Sequence, residues 1–247
     1  MRTTSPGQLV RNGWAWLLDY GYVVRRQARG LLERSDPACY LDPAATAPPV
    51  LLLPGIYERW QFLRPVADLL RELGHPVHVL TRLRWNTAPV DTSAEQVAAY
   101  LEELDLRDVL VVAHSKGGLI GKYAMLHHDH EGRIGRMIAI ATPFAGSRYA
   151  MFFLARSIRA FSPRDRTLRR LGEQLEVNSR ITSIWGAFDP HIPGGSRLEG
   201  ATNVPLRTSG HFRIVGSAEL LDAVRRAAGA QRDADDRPSP GGGGSDT

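Results

Sequence analysis

The sequence has one cysteine, Cys39, only two lysines among its 31 basic residues, and no unbroken apolar run of bilayer length. A lone thiol excludes an internal disulfide and a cysteine-based zinc cluster, and it favours a reducing compartment, so a cytoplasmic protein is expected. A transmembrane helix needs about 20 apolar residues; the richest stretch, Trp14-Ala15-Trp16-Leu17-Leu18, meets Asp19 long before that. A secretory signal is not expected either, because polar Thr3, Thr4 and Ser5 lead in and no small-residue cleavage site follows. The formal charge of +5, spread over 247 residues, is too dilute for a nucleic-acid-binding face, and no nucleic-acid partner is expected.

What is present is ordinary soluble-domain material. Hydrophobic residues at 43% and charged residues at 23% exclude a wholly disordered or fibrous chain, and the length suits one core with trimmings at its ends. Residues 1–49 read as an N-terminal helix and connector, 50–230 as the main domain, and 231–247, with Pro238, Pro240 and four glycines, as a disordered tail. Within the first part, Val10, Trp14, Leu17, Gly21, Val24, Ala28 and Leu31 recur at helical spacing, while Trp16, Tyr20 and Val23 make a second side apolar. Arg25, Arg26, Arg29 and Arg34 crowd its C-terminal half. Two readings stand: a helix packed on the domain with arginines complementing its dipole, or a helix lying in a membrane interface, with peripheral contact through residues 8–34.

From Val50 onward the pattern alternates. Apolar runs at 50–53, 76–83, 109–113, 134–141, 180–188 and 203–207 are separated by helical spacing at 60–73, 92–104 and 117–127, with a last helix at 218–228. Short, continuously apolar strands between helices predict an α/β fold with a mostly parallel central sheet flanked by helices.

The strongest local signal is Val109-Leu110-Val111-Val112-Ala113-His114-Ser115-Lys116-Gly117-Gly118, an apolar strand running into a serine and then a helix. A nucleophile elbow has this form, because side chains two before and two after the serine would collide with neighbouring backbone; Ala113 and Gly117 are small enough. A serine hydroxyl needs a base, and the base needs a carboxylate to set its tautomer. Asp189 follows the strand ending near Trp185, and His211 lies in a polar turn after the next strand, giving the order Ser, Asp, His. Of the other histidines, His114 reads as a packed or hydrogen-bonded residue, His191 as a weaker base candidate beside Asp189, and His75 and His78 as structural. His127, His128 and His130 read as a solvated helix end, and no metal site is expected. Acyl transfer also needs two N–H donors for the developing oxyanion. These are expected from Lys116, after the nucleophile, and Ile56, in the loop after the first core strand.

Leu52-Leu53-Pro54-Gly55, Ala113-His114-Ser115-Lys116-Gly117-Gly118, Gly186-Ala187-Phe188-Asp189-Pro190-His191-Ile192-Pro193 and Gly210-His211-Phe212 together resemble the α/β-hydrolase superfamily. The elbow is similar to that of small bacterial lipases, and Ala141-Thr142-Pro143-Phe144-Ala145-Gly146-Ser147 resembles the Thr-Pro-His-x-Gly-Ser loop of lipase-like members, with Phe144 in place of the histidine. The resemblance implies a triad of Ser115, His211 and Asp189, ester hydrolysis, and no cofactor. It does not identify a substrate.

An apolar stretch containing Met151, Phe152, Phe153, Leu154, Ile158 and Phe161, followed by Arg164, Arg166, Arg169 and Arg170, suggests a helical lid over residues 144–176 with a basic rim. Phe144, Met151, Phe152 and Phe153 are the candidate substrate-binding residues, and a hydrophobic ester or lipid is the expected substrate. The alternatives are an acyltransferase using the same triad and an inactive hydrolase-fold adaptor at a membrane; a helix burying its apolar side with arginines in water is the simpler reading of the lid.

Overall fold

The computed structural model describes residues 13, 14, 16–26, 36–42, 44–152 and 161–229, and of residues 151 and 152 the backbone alone. The predicted tail at 231–247, residues 1–12 and 27–35, and the centre of the lid candidate, including Phe153, lie outside the described residues.

Six parallel strands form one sheet: β1 (Val50–Leu53), β2 (Val77–Val79), β3 (Val109–His114), β4 (Ile134–Ile140), β5 (Ile181–Trp185) and β6 (Thr202–Pro205), in the order β2-β1-β3-β4-β5-β6. The helices are α1 (residues 16–26), α2 (Arg64–Glu72), α3 (Val90–Glu103), α4 (Lys116–His127), α5 (Arg166–Glu173) and α6 (Ala218–Gly229). The mostly parallel sheet expected from the apolar runs is therefore present. Its strands are covered on both faces because alternate residues point opposite ways. Val50, Leu52, Leu110 and Val112 pack with Val66 and Leu70 of α2 and with α6. Leu51, Leu53, Val109 and Val111 pack with Val97 of α3 and Ile120 of α4.

β1 pairs with β2 on one side and β3 on the other, so the chain leaves β1 in one direction and crosses back over it to reach β3. The loops following β1 and β3 thus diverge above the sheet, and that reversal opens a crevice at the carboxyl ends of the strands, where open α/β sheets bind ligands. Leu53 is in register with Ala113, so the loop starting at Pro54 and the turn at Ser115 leave the sheet at the same level.

Two expectations need correcting. The run at 76–83 forms a strand only over Val77–Val79; Thr81–Leu83 wind into a short 3-10 turn, which lets the following loop fold toward the end of β1. The helix α1 also turns a different side inward than the most regular apolar stripe suggests. Asp19 is fully buried and Trp16 and Tyr20 stack near His191, whereas Trp14, Leu17 and Val24 of the stripe are more than half exposed.

Candidate active site

Strand β3 leads straight into Ser115, the residue that caps α4. Ser115 has φ 50° and ψ −117°, a backbone conformation costly for a residue with a side chain, and its N–H donates to the Ile140 carbonyl at 2.8 Å. The sharp turn brings α4 so close to β1 that a Cβ at Gly117 would lie 2.1 Å from the Leu53 carbonyl oxygen. Glycine is the residue that this approach allows. On the preceding side Ala113 is completely buried, which leaves little room for more than its methyl.

Asp189 and His211 reach this serine from two loops that are stitched together. Gly210 N–H donates to the Phe188 carbonyl at 2.8 Å and Ala187 N–H to the Thr208 carbonyl at 3.1 Å. His211 Nδ1 lies 2.7 Å from Asp189 Oδ2, and His211 Nε2 lies 3.0 Å from Ser115 Oγ. A carboxylate beside Nδ1 calls for the proton on that nitrogen, which leaves the Nε2 lone pair facing the serine hydroxyl. The other carboxylate oxygen, Oδ1, accepts the N–H groups of His191 at 2.7 Å and Ile192 at 2.9 Å. Burial alone would push the Asp189 carboxyl up, but the His211 charge and these hydrogen bonds hold it below the ordinary carboxylate range. Burial likewise would depress His211, yet the carboxylates of Asp189, Glu58 and Asp19 raise it. His191 is different: burial, with His211 nearby, pushes it down to about 4, and its ring is 5.1 Å from that of His211. It is a wall of the site.

The loop after β1 is braced at each end. Pro54 carbonyl accepts from Asn86 Nδ2 at 2.7 Å, Gly55 N–H donates to Glu58 Oε2 at 2.7 Å, and Tyr57 N–H donates to the Trp85 carbonyl at 2.7 Å. Between them the N–H of Ile56 takes no acceptor among the described residues, and neither does that of Lys116, the first residue of α4. These are the two donors singled out in the sequence, and Ile56 and Ser115 face one cleft. The Lys116 side chain turns away, donating to the carbonyls of Asn86 and Ala88 and so tying the 84–89 loop to the elbow. Burial pulls its ammonium down to about 8.

Sequence reasoning missed two supporting acids. Glu58 Oε2 also lies 2.9 Å from His114 Nδ1, and His114 Nε2 donates to the His211 carbonyl at 3.1 Å, linking the β1 loop, the elbow and the histidine loop through one buried pair. Asp19 accepts from the backbone at His211, Phe212 and Arg213. The only signal for either is an acid amid apolar or turn residues.

Ser115 and His211 open into a cleft of about 260 Å³ walled by Tyr20, Val23, Ile56, Tyr149, Phe161 and Ile192. Of the candidate substrate contacts, Phe144 is buried with the core side chains that include Leu119 and Ile120 and is not among the residues of the cleft wall. The side chains of Met151, Phe152 and Phe153 lie outside the described residues. The expected basic rim is not part of the wall: Leu168 and Leu171 anchor α5 to the core, and Arg164, Arg166, Arg169 and Arg170 are exposed to solvent. Among the described residues no group of three histidine, cysteine or acidic side chains is placed to hold a metal ion.

No protein-family model matches the chain, and no curated protein matches it in sequence. The fold does match solved structures. A lipase of Bacillus licheniformis, BlEst2 in mature form, superimposes with a TM-score of 0.57 at 17% identity over 76% of this chain and 94% of that one. MGS-MChE2, an α/β-hydrolase enzyme from a lagoon-sediment metagenome, gives 0.56 at 15% identity over 76% and 93%. An extracellular α/β-hydrolase from a Paenibacillus species gives 0.52 at 16% over 73% and 98%. The chain has the α/β-hydrolase fold, as these structures do.

Proposed function

We propose that this α/β-hydrolase-fold chain is a serine hydrolase acting on carboxylic esters with apolar acyl groups. The observation that carries the proposal is the hydrogen-bonded series Asp189–His211–Ser115 at 2.7 and 3.0 Å, opening into an apolar cleft. Ser115 Oγ attacks the ester carbonyl carbon as its proton passes to His211 Nε2. The N–H groups of Ile56 and Lys116 receive the oxyanion, an interaction worth about 3 kcal/mol per donor. Collapse expels the alcohol, which takes the proton from His211, and leaves an acyl group on Ser115. Water, deprotonated by His211, then releases the carboxylic acid and restores the serine. Asp189 keeps the imidazole in the tautomer that each proton transfer needs.

The cleft wall sets the acyl preference. Val23, Ile56, Phe161 and Ile192 offer hydrocarbon, and each buried methylene contributes about 0.8 kcal/mol, roughly fourfold in kcat/KM, until the cleft is filled. A series of p-nitrophenyl esters should therefore rise steeply from acetate to medium-length chains. A preference for acetate would contradict the reading. Tyr149 and Phe161 of the cleft wall come from the stretch read as a lid.

A lipid surface as the source of substrate is favoured by one further observation. Leu17 and Val24 expose an apolar stripe on α1, the helix that also contributes Tyr20 and Val23 to the cleft; Trp14, ahead of that helix, is exposed as well, and exposed Arg25 adjoins the stripe. Such a face suits an anionic membrane interface, with the cleft mouth beside the acyl chains. Cosedimentation with phosphatidylglycerol vesicles should fall in a Leu17→Ser/Val24→Ser variant that keeps its activity on a soluble ester; equal sedimentation of the two proteins would remove the membrane from the account.

A further inference from the structure

The N-terminal helix α1 reaches the loop of His211 through its one acid. Asp19 is fully buried, and its carboxylate accepts three consecutive backbone N–H groups: His211 at 3.0 Å, Phe212 at 2.9 Å and Arg213 at 2.8 Å. These open the short 3-10 turn Arg213–Gly216, whose first N–H groups have no partner within the turn itself. The approach is tight. Gly210 has φ 121°, and a Cβ there would stand 2.6 Å from Asp19 Oδ1. Two positions further along α1 than Val24, Arg26 Nε donates to Tyr22 Oη, and the Tyr22 ring packs edge-on to Phe62 and against Gly216, so the helix is held where the carboxylate must be.

The two peptide units that flank His211 are thereby each held by a buried side chain. Asp19 takes the N–H, and His114 donates to the carbonyl. We infer that Asp19 is a positioning residue for the proton-transferring histidine, and that α1 is an integral part of the active site of this chain. The inference rests on the Ser115–His211 reading. It assigns Asp19 two effects. Three charge-assisted hydrogen bonds fix the main chain from which the imidazole projects, and a misplacement of about 1 Å costs a reaction of this kind about a hundredfold. The buried negative charge also adds to those of Asp189 and Glu58 in favouring the imidazolium; His114 and His191 are the other titratable groups facing the ring.

The test compares wild type, Asp19→Asn and Asp19→Glu in the full chain, with active sites counted by fluorophosphonate titration so that rates refer to folded enzyme. The expected result for Asp19→Asn is a kcat lower by about ten- to a hundredfold at a KM within threefold of wild type. The acidic limb of its kcat/KM profile should move to lower pH. Asp19→Glu keeps the charge but shifts the carboxylate by a methylene, so kcat should fall while the limb stays in place. Wild-type kcat and an unmoved limb in Asp19→Asn would overturn the inference. So would a loss in both variants that tracks only the folded fraction, since Asp19 would then serve folding alone. If wild type itself is not phosphonylated on Ser115, the Ser115–His211 reading fails; a labelled wild type with an indifferent Asp19→Asn overturns this inference and leaves that reading standing.

Discussion

Replacement of Ser115 by alanine should abolish ester hydrolysis, with kcat falling by about 10⁶-fold toward the residual rate that binding and the two N–H donors sustain without a nucleophile. The fold should survive, because among the described residues the hydroxyl has one hydrogen-bond partner, His211 Nε2, and the strained backbone at φ 50° tolerates alanine no worse than serine. Thermal unfolding within a few degrees of wild type, together with loss of turnover on a medium-chain p-nitrophenyl ester, is the expected pair of readings. Retained turnover would place the chemistry elsewhere.

Asp189→Asn should cost about 10⁴-fold in kcat, for a reason written in the hydrogen bonds of its two oxygens. Oδ1 is held by the N–H groups of His191 and Ile192, so the amide oxygen of asparagine takes that place and its NH₂ turns toward His211 Nδ1. A donor there forces the proton to Nε2, the nitrogen that must accept from Ser115. The same substitution alters the pH profile. In wild type the neighbouring carboxylates raise His211, and imidazolium cannot accept a proton, so activity should be lost as pH falls through a midpoint above 6.5. Removal of the Asp189 charge should carry that midpoint downward. A variant with wild-type kcat and an unshifted profile would show that Asp189 does not govern His211.

These residues were legible in the sequence because strand ends are legible. An apolar run that stops at a small or polar residue marks the carboxyl edge of a parallel sheet, and Ser115, Asp189 and His211 each follow such a run; the structure brings the three within hydrogen-bond distance. Ile56 and Lys116 follow from the same reasoning, since the loops after β1 and β3 face each other across the reversal of strand order. Asp19 was not legible. It precedes its partners by more than 190 residues, and within its own helix it reads only as an interruption of an apolar stretch. The regular stripe Trp14, Leu17, Gly21, Val24 masked the side that is buried, because periodicity identifies an apolar face without saying whether protein or another phase covers it. Glu58 was hidden in a similar way by its turn, where an acid is ordinarily solvated. Phe144, Arg164, Arg166, Arg169 and Arg170 neighbour the expected lid in sequence, but their direction depends on packing that spacing alone does not encode.

Covalent labelling of the native protein with a fluorophosphonate, followed by peptide mapping, locates the nucleophile. One phosphonate per chain is expected, carried by Ser115, with incorporation slowing as pH drops below the His211 midpoint and vanishing in Ser115→Ala. Incorporation at another residue, or equal incorporation in wild type and Ser115→Ala, would contradict Ser115 as the nucleophile.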